Sequence, residues 1–266
     1  MRLKEMLNGI VPEESLGRLS DGYHVIGDIA VLSLDPELEG YKEEIASALL
    51  NQCNYIHTVL NKTSRLQGEE RVAHFEVLAG TGNTTTAHKE FGFIYHLDVA
   101  RVFFNSRLGS ERMRVANAVK DGEDVLVPFA GSGPFVVPIA ARGARVVALE
   151  KNRDACLWLA GNARQNRVQD KIAVINGDAF HMAELLKKDF DRVVVPTPYG
   201  MDRIIKTALQ MVKAGGWLHF YTFKKRHEIL ELQKSYEDLG LEMRQCRRCG
   251  NVAPGVSRWV FDMVKS

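Results

Sequence analysis

The sequence has few cysteines and no long hydrophobic run. Four cysteines occur among 266 residues, and only Cys246 and Cys249 lie close together. Because no second cysteine pair or histidine cluster completes a four-ligand zinc site, we expect reduced thiols and no bound metal. No apolar run is long enough to span a bilayer, and the N-terminal stretch MRLKEMLNGIVPEESL lacks a signal-peptide core. These absences predict a cytoplasmic protein that makes no membrane contact.

Two nucleotide-binding signatures are also incomplete. Residues 125–140 read VLVPFAGSGPFVVPIA, a strand-like run, a glycine turn and the start of a helix. Such a turn brings backbone N–H groups close to a nucleotide. The third glycine of the dinucleotide fingerprint is missing after Gly131 and Gly133, and no Gly-Lys-Ser/Thr of a phosphate-binding loop follows. The pattern favours S-adenosylmethionine as the ligand, with NAD(P) as the alternative.

Positive and negative charges are nearly balanced, with 35 Lys and Arg, 33 Asp and Glu, and a net charge of +2. This balance neither requires nor excludes nucleic acid, because a local patch matters more than the total. Basic residues gather late in the chain, at 224–226 (KKR), Arg244, Arg247, Arg248 and Arg258. We expect this set to contact phosphates near the active-site edge; an ordinary solvated surface is the alternative interpretation.

Hydrophobic patterns divide the chain into a small α+β domain at 1–75 and a larger domain at 76–266. In the first, YHVIGDIAVLSL alternates as one or two strands, and PELEGYKEEIASALLNQC has the apolar spacing of a helix. LNKTSRLQGEERVAHFEVLAGTG then has the composition of strands and turns.

From about residue 112, strands alternate regularly with helices, which predicts a parallel doubly wound sheet. The predicted strands are 124–128, 144–150, 171–176, 190–195 and 216–223, then a terminal antiparallel pair at 241–248 and 257–264. This strand count is typical of class I S-adenosylmethionine-dependent methyltransferases. We therefore predict an α/β fold with a Rossmann-like, mostly parallel seven-stranded sheet and a small N-terminal α+β domain.

Polar residues follow the predicted strands at the edge where such sheets bind ligands. Glu150 ends the second strand, where a carboxylate can accept hydrogen bonds from both ribose hydroxyls. Asp178 follows the third strand and would accept from an adenine amino group or order its loop; a helix N-cap is the structural alternative. The fourth strand runs into the rigid segment VPTPYG.

The segment before the sheet is more specific. Residues 88–116 read HKEFGFIYHLDVARVFFNSRLGSERMRVA. This segment resembles the signature of the archaeal and eukaryotic tRNA guanine-37 N1-methyltransferases and their wybutosine-pathway relatives, which transfer an aminocarboxypropyl group. That signature is E-x-G…D-x-x-(K/R)-V-x-F-(S/N)-x-R-L-x-x-E-R. The stretches DGYHVIGDIAVLSLDPEL, FAGSGPF, GGWLHFYTF and APGVSRWVFDM continue the likeness from about residue 20 to the end.

The resemblance implies S-adenosyl-L-methionine as cofactor and the anticodon region of tRNA as partner. The residues that it places around the cofactor are Asn105, Arg112, Phe129, Ala130, Gly131, Ser132, Gly133, Glu150, Lys151, Asp178, Ala179 and Pro196. The predicted catalytic residues are Arg107, which matches the arginine of the methyltransferase branch, with Thr197 and Tyr199. We expect a monomer.

Methylation of N1 of guanosine 37 is the predicted reaction, because Arg107 matches the arginine of the methyltransferase branch. The aminocarboxypropyl branch is the alternative, followed by a methyltransferase with another substrate and by a non-catalytic binding module. Two departures bear on this choice. Residues 196–199 read PTPY where the methyltransferase branch has Asn-Leu-Pro or Asn-Pro-Pro-Tyr. We also expect the chain to lack the extra N-terminal domain of longer members, and thus to hold tRNA through fewer contacts or to use a different substrate.

Methylating guanine N1 requires a proton to leave N1 while negative charge builds on O6. Arg107 is the predicted stabiliser of that charge, and a surface ion pair with Glu111 is its structural alternative. The proton acceptor stays open between Asp98, Glu111 and Thr197. The guanine must also be unstacked, so an aromatic floor is expected. The candidates for that floor are Tyr199, Tyr95 and Phe104, of which Phe104 better suits a hydrophobic core.

Overall fold

The computed structural model describes residues 3–9, 11–17, 23–64 and 72–266. Its backbone forms two compact units, Met1–Ser106 and Arg107–Ser266. Compact units need not coincide with domains, so the division at 75/76 stays a prediction. Within the described ranges, every helix is too short or too polar to cross a membrane.

The first unit is built on a four-stranded sheet covered by one long helix. Its helices are α1 (Leu3–Met6), α2 (Glu13–Leu16) and α3 (Lys42–Gln52), and its strands are β1 (His24–Ile26), β2 (Ile29–Leu32), β3 (Thr58–Lys62), β4 (Phe75–Gly80), β5 (Thr85–Glu90) and β6 (Phe93–Asp98). The sheet has the order β1-β2-β3-β4, and β5 and β6 form a separate antiparallel hairpin. The predicted α+β character is confirmed, and YHVIGDIAVLSL forms two strands. The turns predicted at 65–71 lie outside the described residues.

Packing of α3 on this sheet follows from its sequence. Ile45 and Leu49, four residues apart, are fully buried on one helical face. They join a core that includes Ala30 and Val59 from the central strands. The short 3₁₀ turn before α3 begins at Asp35, whose carboxylate accepts a hydrogen bond from the N–H of Glu37 at 3.1 Å.

The second unit contains the predicted seven-stranded sheet. Its strands are β7 (Asp124–Pro128), β8 (Arg145–Glu150), β9 (Ile172–Asn176), β10 (Phe190–Val195), β11 (Val212–Lys224), β12 (Leu241–Ala253) and β13 (Val256–Lys265). Its helices are α4 (Gly109–Asn117), α5 (Val136–Ala140), α6 (Arg153–Gln165), α7 (Met182–Leu186), α8 (Ile205–Gln210) and α9 (Ile229–Glu237). The strand order is β12-β13-β11-β10-β7-β8-β9.

This topology confirms the predicted class I methyltransferase fold. Strands β7 to β11 pair in parallel, and β13 runs antiparallel to both β11 and β12. The main difference from the prediction lies at the ends of the long strands. β11 begins at Val212, before the two glycines 215 and 216, and the terminal pair extends to a tight turn at 254–255. Glycine and proline are weak strand formers, so composition alone predicted a late start for β11 and an early end for β12.

A chain of buried polar side chains crosses the middle of this sheet. The Arg192 guanidinium contacts Glu123 (Nε–Oε2 2.8 Å) and His219 (Nη1–Nε2 2.6 Å). His219 Nδ1 lies 2.5 Å from Asp262 Oδ1. Because Nε2 faces a guanidinium donor, His219 is neutral, with its proton on Nδ1. Burial agrees with this assignment, since it lowers the pKa of His219.

The same chain continues from the sheet to α4. Arg114 donates to Asp262 at 2.6 Å and to Glu111 at 2.7 Å, and the Tyr221 hydroxyl donates to Glu111 at 2.8 Å. Burial alone would raise the pKa of Asp262, yet the hydrogen bonds from His219 and Arg114 hold that pKa below its usual value. The result is a fixed orientation of α4 over β11 and β13.

Replacing Asp262 with Ala should lower the free energy of unfolding by about 3–5 kcal/mol, because Arg114 and His219 would lose a buried acceptor. Arg244→Ala is the control, since its ion pair with Glu242 is exposed on both sides and should contribute less than about 1 kcal/mol. Urea unfolding of the two variants measures the difference. A loss for Asp262→Ala no larger than for the control would contradict the role of the network.

Candidate functional site

The carboxyl ends of the parallel strands form one edge of the second unit. β7 ends at Pro128, β8 at Glu150, β9 at Asn176 and β10 at Val195. In sheets of this topology, ligands bind beyond that edge, on the loops that follow the strands. Most of the predicted site residues lie on these loops.

The loop after β7 makes a tight glycine turn. Phe129, Gly131 and Gly133 all have positive φ angles, of 55°, 57° and 92°. A Cβ on Gly133 would lie 3.0 Å from Leu159 Cγ, so the glycine permits close approach of α6. A positive φ angle is rare for a bulky residue such as Phe129. Residues in such strained conformations cluster at functional loops.

Glu150 closes this turn from the neighbouring strand. Its Oε2 accepts a hydrogen bond from the N–H of Gly131 at 2.8 Å, and its Oε1 accepts one from the N–H of Asn152 at 2.8 Å. Burial raises the pKa of Glu150. The backbone N–H of Lys151 is a third donor to this carboxylate. A carboxylate offers about four acceptor positions, so about one remains for a ligand's hydroxyl group.

Ser132 gives a further sign that the turn suits a polar ligand. Its carbonyl accepts a hydrogen bond from the buried Asn162 amide at 2.9 Å. Its hydroxyl is fully buried and has no hydrogen-bond partner among the residues that the structure describes. Buried hydroxyl groups without partners are uncommon in folded proteins. The neighbouring Ala130 is also buried and leaves the turn compact.

Asp178 and Lys151 form a pair beside Glu150. Asp178 Oδ1 accepts a hydrogen bond from the N–H of Phe180 at 2.9 Å, and Oδ2 lies 3.1 Å from Lys151 Nζ. The bond from Phe180 and the lysine charge lower the pKa of Asp178. Asp178 is thus the N-cap of a 3₁₀ turn that begins at the buried Ala179, which is the structural alternative stated above. Its oxygens retain room for another donor.

The segment after β10 turns back on itself. The backbone N–H of Thr197 donates to Val195 O at 2.8 Å, and the buried Thr197 hydroxyl donates to the same oxygen at 3.3 Å. Pro196 lies between them and is partly exposed. Tyr199 is 58% exposed, and its ring lies 5.4 Å from that of Phe223. An exposed ring on a proline-fixed loop is available for stacking.

The residues of the signature segment lie in different places. Arg107 is exposed in a 3₁₀ turn before α4, whereas Arg112 is buried within α4. α4 packs against α5, the helix that follows the glycine turn. Asn105 belongs to the first unit and is partly exposed. The roles of these residues stay predictions.

The remaining candidates divide between buried and hydrogen-bonded positions. Tyr95 is fully buried, and Phe104 packs against it with ring centroids 5.8 Å apart. Asp98 accepts a hydrogen bond from the N–H of Ala100 at 2.9 Å. Glu111 is buried in the network with Arg114 and Tyr221 described above. The described residues include no cluster of three or more potential metal ligands.

Sequence reasoning missed two supporting features. Asn152 caps α6 by accepting a hydrogen bond from the N–H of Ala155 at 3.2 Å. Its own backbone N–H donates a hydrogen bond to Glu150 Oε1. An asparagine just before an amphipathic run is a recognisable helix start, so this signal was present. Phe223 lies between Tyr199 and Arg258, whose guanidinium is 4.8 Å from the ring centroid. No sequence pattern marks that contact.

Comparisons with known families and structures agree with this geometry. Residues 86–248 match a model described as the TRM5/TYW2 methyltransferase domain, and residues 3–84 match one described as the TYW2 N-terminal domain. The structure of aTrm5 in complex with tRNA(Leu) superposes with a TM-score of 0.89 at 29% identity, covering 100% of this chain and 78% of that one. Pyrococcus horikoshii TYW2, solved with MeSAdo, gives 0.78 at 30% identity, covering 99% and 98%.

Two curated relatives represent the two branches. The Pyrococcus abyssi tRNA (guanine(37)-N(1))-methyltransferase Trm5b is 33% identical over 220 residues, which cover 83% of this chain and 64% of that protein. The Pyrococcus horikoshii tRNA(Phe) (4-demethylwyosine(37)-C(7)) aminocarboxypropyltransferase is 31% identical, covering 98% of this chain and 95% of that protein. The chain therefore spans less than two thirds of the first relative and nearly all of the second.

Proposed function

Because the chain belongs to the TRM5/TYW2 methyltransferase family, we propose that it is an S-adenosylmethionine-dependent tRNA-modifying enzyme that methylates N1 of guanosine 37. The observation that carries the proposal is the glycine turn closed by Glu150 at the ligand edge of a class I methyltransferase sheet. The tRNA substrate is inferred from the relatives, since aTrm5 was solved with tRNA(Leu). A cytoplasmic monomer, as expected from the sequence, completes the proposal.

The described residues fit the proposed cofactor. The remaining acceptor position on Glu150 suits a ribose hydroxyl group, and the buried Ser132 hydroxyl suits a further polar group. Asp178 suits the exocyclic amine of an adenine, and the backbone turn at Gly131 permits close approach. When bound, S-adenosylmethionine supplies an electrophilic carbon on a sulfonium.

The chain's own contribution is to place and polarise the base. Arg107 is exposed, and its planar guanidinium would donate hydrogen bonds to guanine O6 as negative charge builds there. Tyr199 supplies an exposed ring beside Phe223 on which an unstacked base can lie. The Thr197 hydroxyl donates its proton to the Val195 carbonyl oxygen. Towards a substrate, this hydroxyl oxygen would therefore act as a hydrogen-bond acceptor. The identity of the general base stays open.

A specific observation supports a second candidate, transfer of the aminocarboxypropyl group. Residues 3–84 match the TYW2 N-terminal domain model, and the aminocarboxypropyltransferase is covered over 95% of its length. Both reactions use one cofactor, and they differ in which carbon on the sulfonium meets the nucleophile.

Doubly labelled cofactor distinguishes the two reactions. The protein would be incubated with unmodified tRNA and with S-adenosylmethionine labelled separately on the methyl and the aminocarboxypropyl carbons. We expect the methyl label to enter tRNA, and to be lost from the product when guanosine 37 is replaced by adenosine. Transfer of the other label to a tRNA that carries the wybutosine precursor would establish the second candidate. Transfer of neither label to either tRNA would contradict both.

Glu150→Gln should weaken S-adenosylmethionine binding by about 1.5–3 kcal/mol, the contribution of hydrogen bonds to a charged group. Because the pKa of Glu150 is raised by burial, wild-type affinity should fall as pH decreases through that raised value, and Glu150→Gln should lose this dependence. Calorimetry from pH 8 downward measures both effects. Glu184→Gln, on an exposed position of α7, is the control. Unchanged affinity for Glu150→Gln would remove this residue from the site.

Arg107→Ala should reduce the single-turnover rate by about 10²–10³, the usual loss for one preorganised donor. Affinities for tRNA and cofactor should change much less, because the interaction strengthens in the transition state. Arg107→Lys should restore little, since an ammonium lacks the planar fork. Arg164→Ala, at an exposed position in the last turn of α6, is the matched control. A near-wild-type rate for Arg107→Ala would show that this arginine is not catalytic.

A further inference from the structure

The basic residues near the end of the chain fall into two groups. Four of the seven are engaged within the protein. Lys224 pairs with Asp202 at 2.7 Å, and Arg244 pairs with Glu242 at 2.7 Å. Arg247 lies 3.7 Å from Glu111, and the Arg258 guanidinium stacks on Phe223. These four charges are partly neutralised or held in place by neighbours.

The other three are Lys225, which does not line the groove described below, and the two arginines Arg226 and Arg248. Both are exposed, and neither has a carboxylate within 4.0 Å among the residues that the structure describes. They line one groove, together with the hairpin backbone at 251–255 and the Trp259 side chain. We call this the hairpin groove. Two guanidinium groups without counter-charges create a positive potential within it.

Trp259 makes the hairpin groove more than a charged surface. Its indole Nε1–H donates to Lys224 O at 3.2 Å, which fixes the ring, and its neighbour across the strands is Arg248. The side chain is partly exposed on the groove side. An aromatic ring that lines the same groove as two cations is the combination that binds single-stranded nucleic acid, through phosphate contact and base stacking. An acidic peptide would use the charges and leave the ring without a stacking partner.

The hairpin groove lies at the ligand edge of the sheet. Arg226 follows the carboxyl end of β11, and β11 runs parallel to β10, which leads into the Tyr199 loop. Tyr199 contacts Phe223, and Phe223 contacts Arg258, the residue before Trp259. Because consecutive side chains of a strand point to opposite faces, Arg258 and Trp259 lie on opposite faces of the hairpin. The groove and the Tyr199 loop therefore share the ligand edge of the sheet, and the groove lies on the other face of the hairpin from Phe223.

We propose that the hairpin groove binds the backbone of single-stranded RNA, with phosphates on Arg226 and Arg248 and a base on Trp259. The proposal rests on the proposed function for its choice of RNA, and it assigns the groove to nucleotides that flank the modified base. It requires no change in the cofactor site.

The test is tRNA binding by the full chain across a range of salt concentrations. Arg226→Ala/Arg248→Ala should reduce affinity about tenfold or more at low salt and lower the slope of log K against log salt by about 1.4–1.8, the contribution of two phosphate contacts. Arg164→Ala/Lys234→Ala is the control, because it removes the same charge from exposed positions in the last turns of α6 and α9. The control should keep the wild-type slope, and S-adenosylmethionine binding should stay unchanged in both variants.

Tryptophan fluorescence gives a second readout. Single-stranded RNA should quench the emission of the wild type and of Trp158→Phe, and the quenching should be lost in Trp259→Phe. Equal slopes and affinities for the two double variants would overturn the groove while leaving a tRNA-modifying activity in place. Absence of tRNA binding by the wild type at low salt would overturn both proposals. Equal competition by an acidic peptide and by RNA would also overturn the assignment to RNA.

Discussion

The hydrogen bonds of the Glu150 carboxylate are the constraint on which the ligand edge depends. One side chain, at the end of β8, holds the N–H of Gly131 in the turn after β7 and the N–H of Asn152 at the start of α6. Two loops and a helix therefore share one anchor. The left-handed residues of the turn are kept in place by this anchor and by the Asn162 amide, rather than by hydrophobic packing alone.

A second constraint fixes the helix that carries Arg112. Arg114 bridges Glu111 of α4 and Asp262 of β13, and His219 connects Asp262 to Arg192. The neutral His219 accepts a hydrogen bond from the Arg192 guanidinium and donates one to the Asp262 carboxylate. Both ring nitrogens are therefore bonded, and the imidazole adds no buried charge. The sheet and α4 thus behave as one rigid support for the loops above them.

Much of this architecture follows from the sequence because its signals are local. The strand ends at Pro128, Glu150 and Val195 were predicted to the residue, since short apolar runs are bounded there by turn residues or charge. The role of Asp178 as an N-cap was also foreseen as an alternative. The network of Asp262 and His219 was not, because their contact joins residues 43 positions apart and nothing local marks it. The division between engaged and unengaged arginines likewise depends on tertiary neighbours such as Phe223 and Asp202.

The hairpin of β12 and β13 has a consequence for divergence within the family. β12 is the edge strand, and residues 250–255 at its tip are exposed and pack against no core. Insertions or deletions at such a tip cost little stability, because they disturb no buried contact. The tip can therefore change in length while the seven-stranded sheet beneath it stays the same.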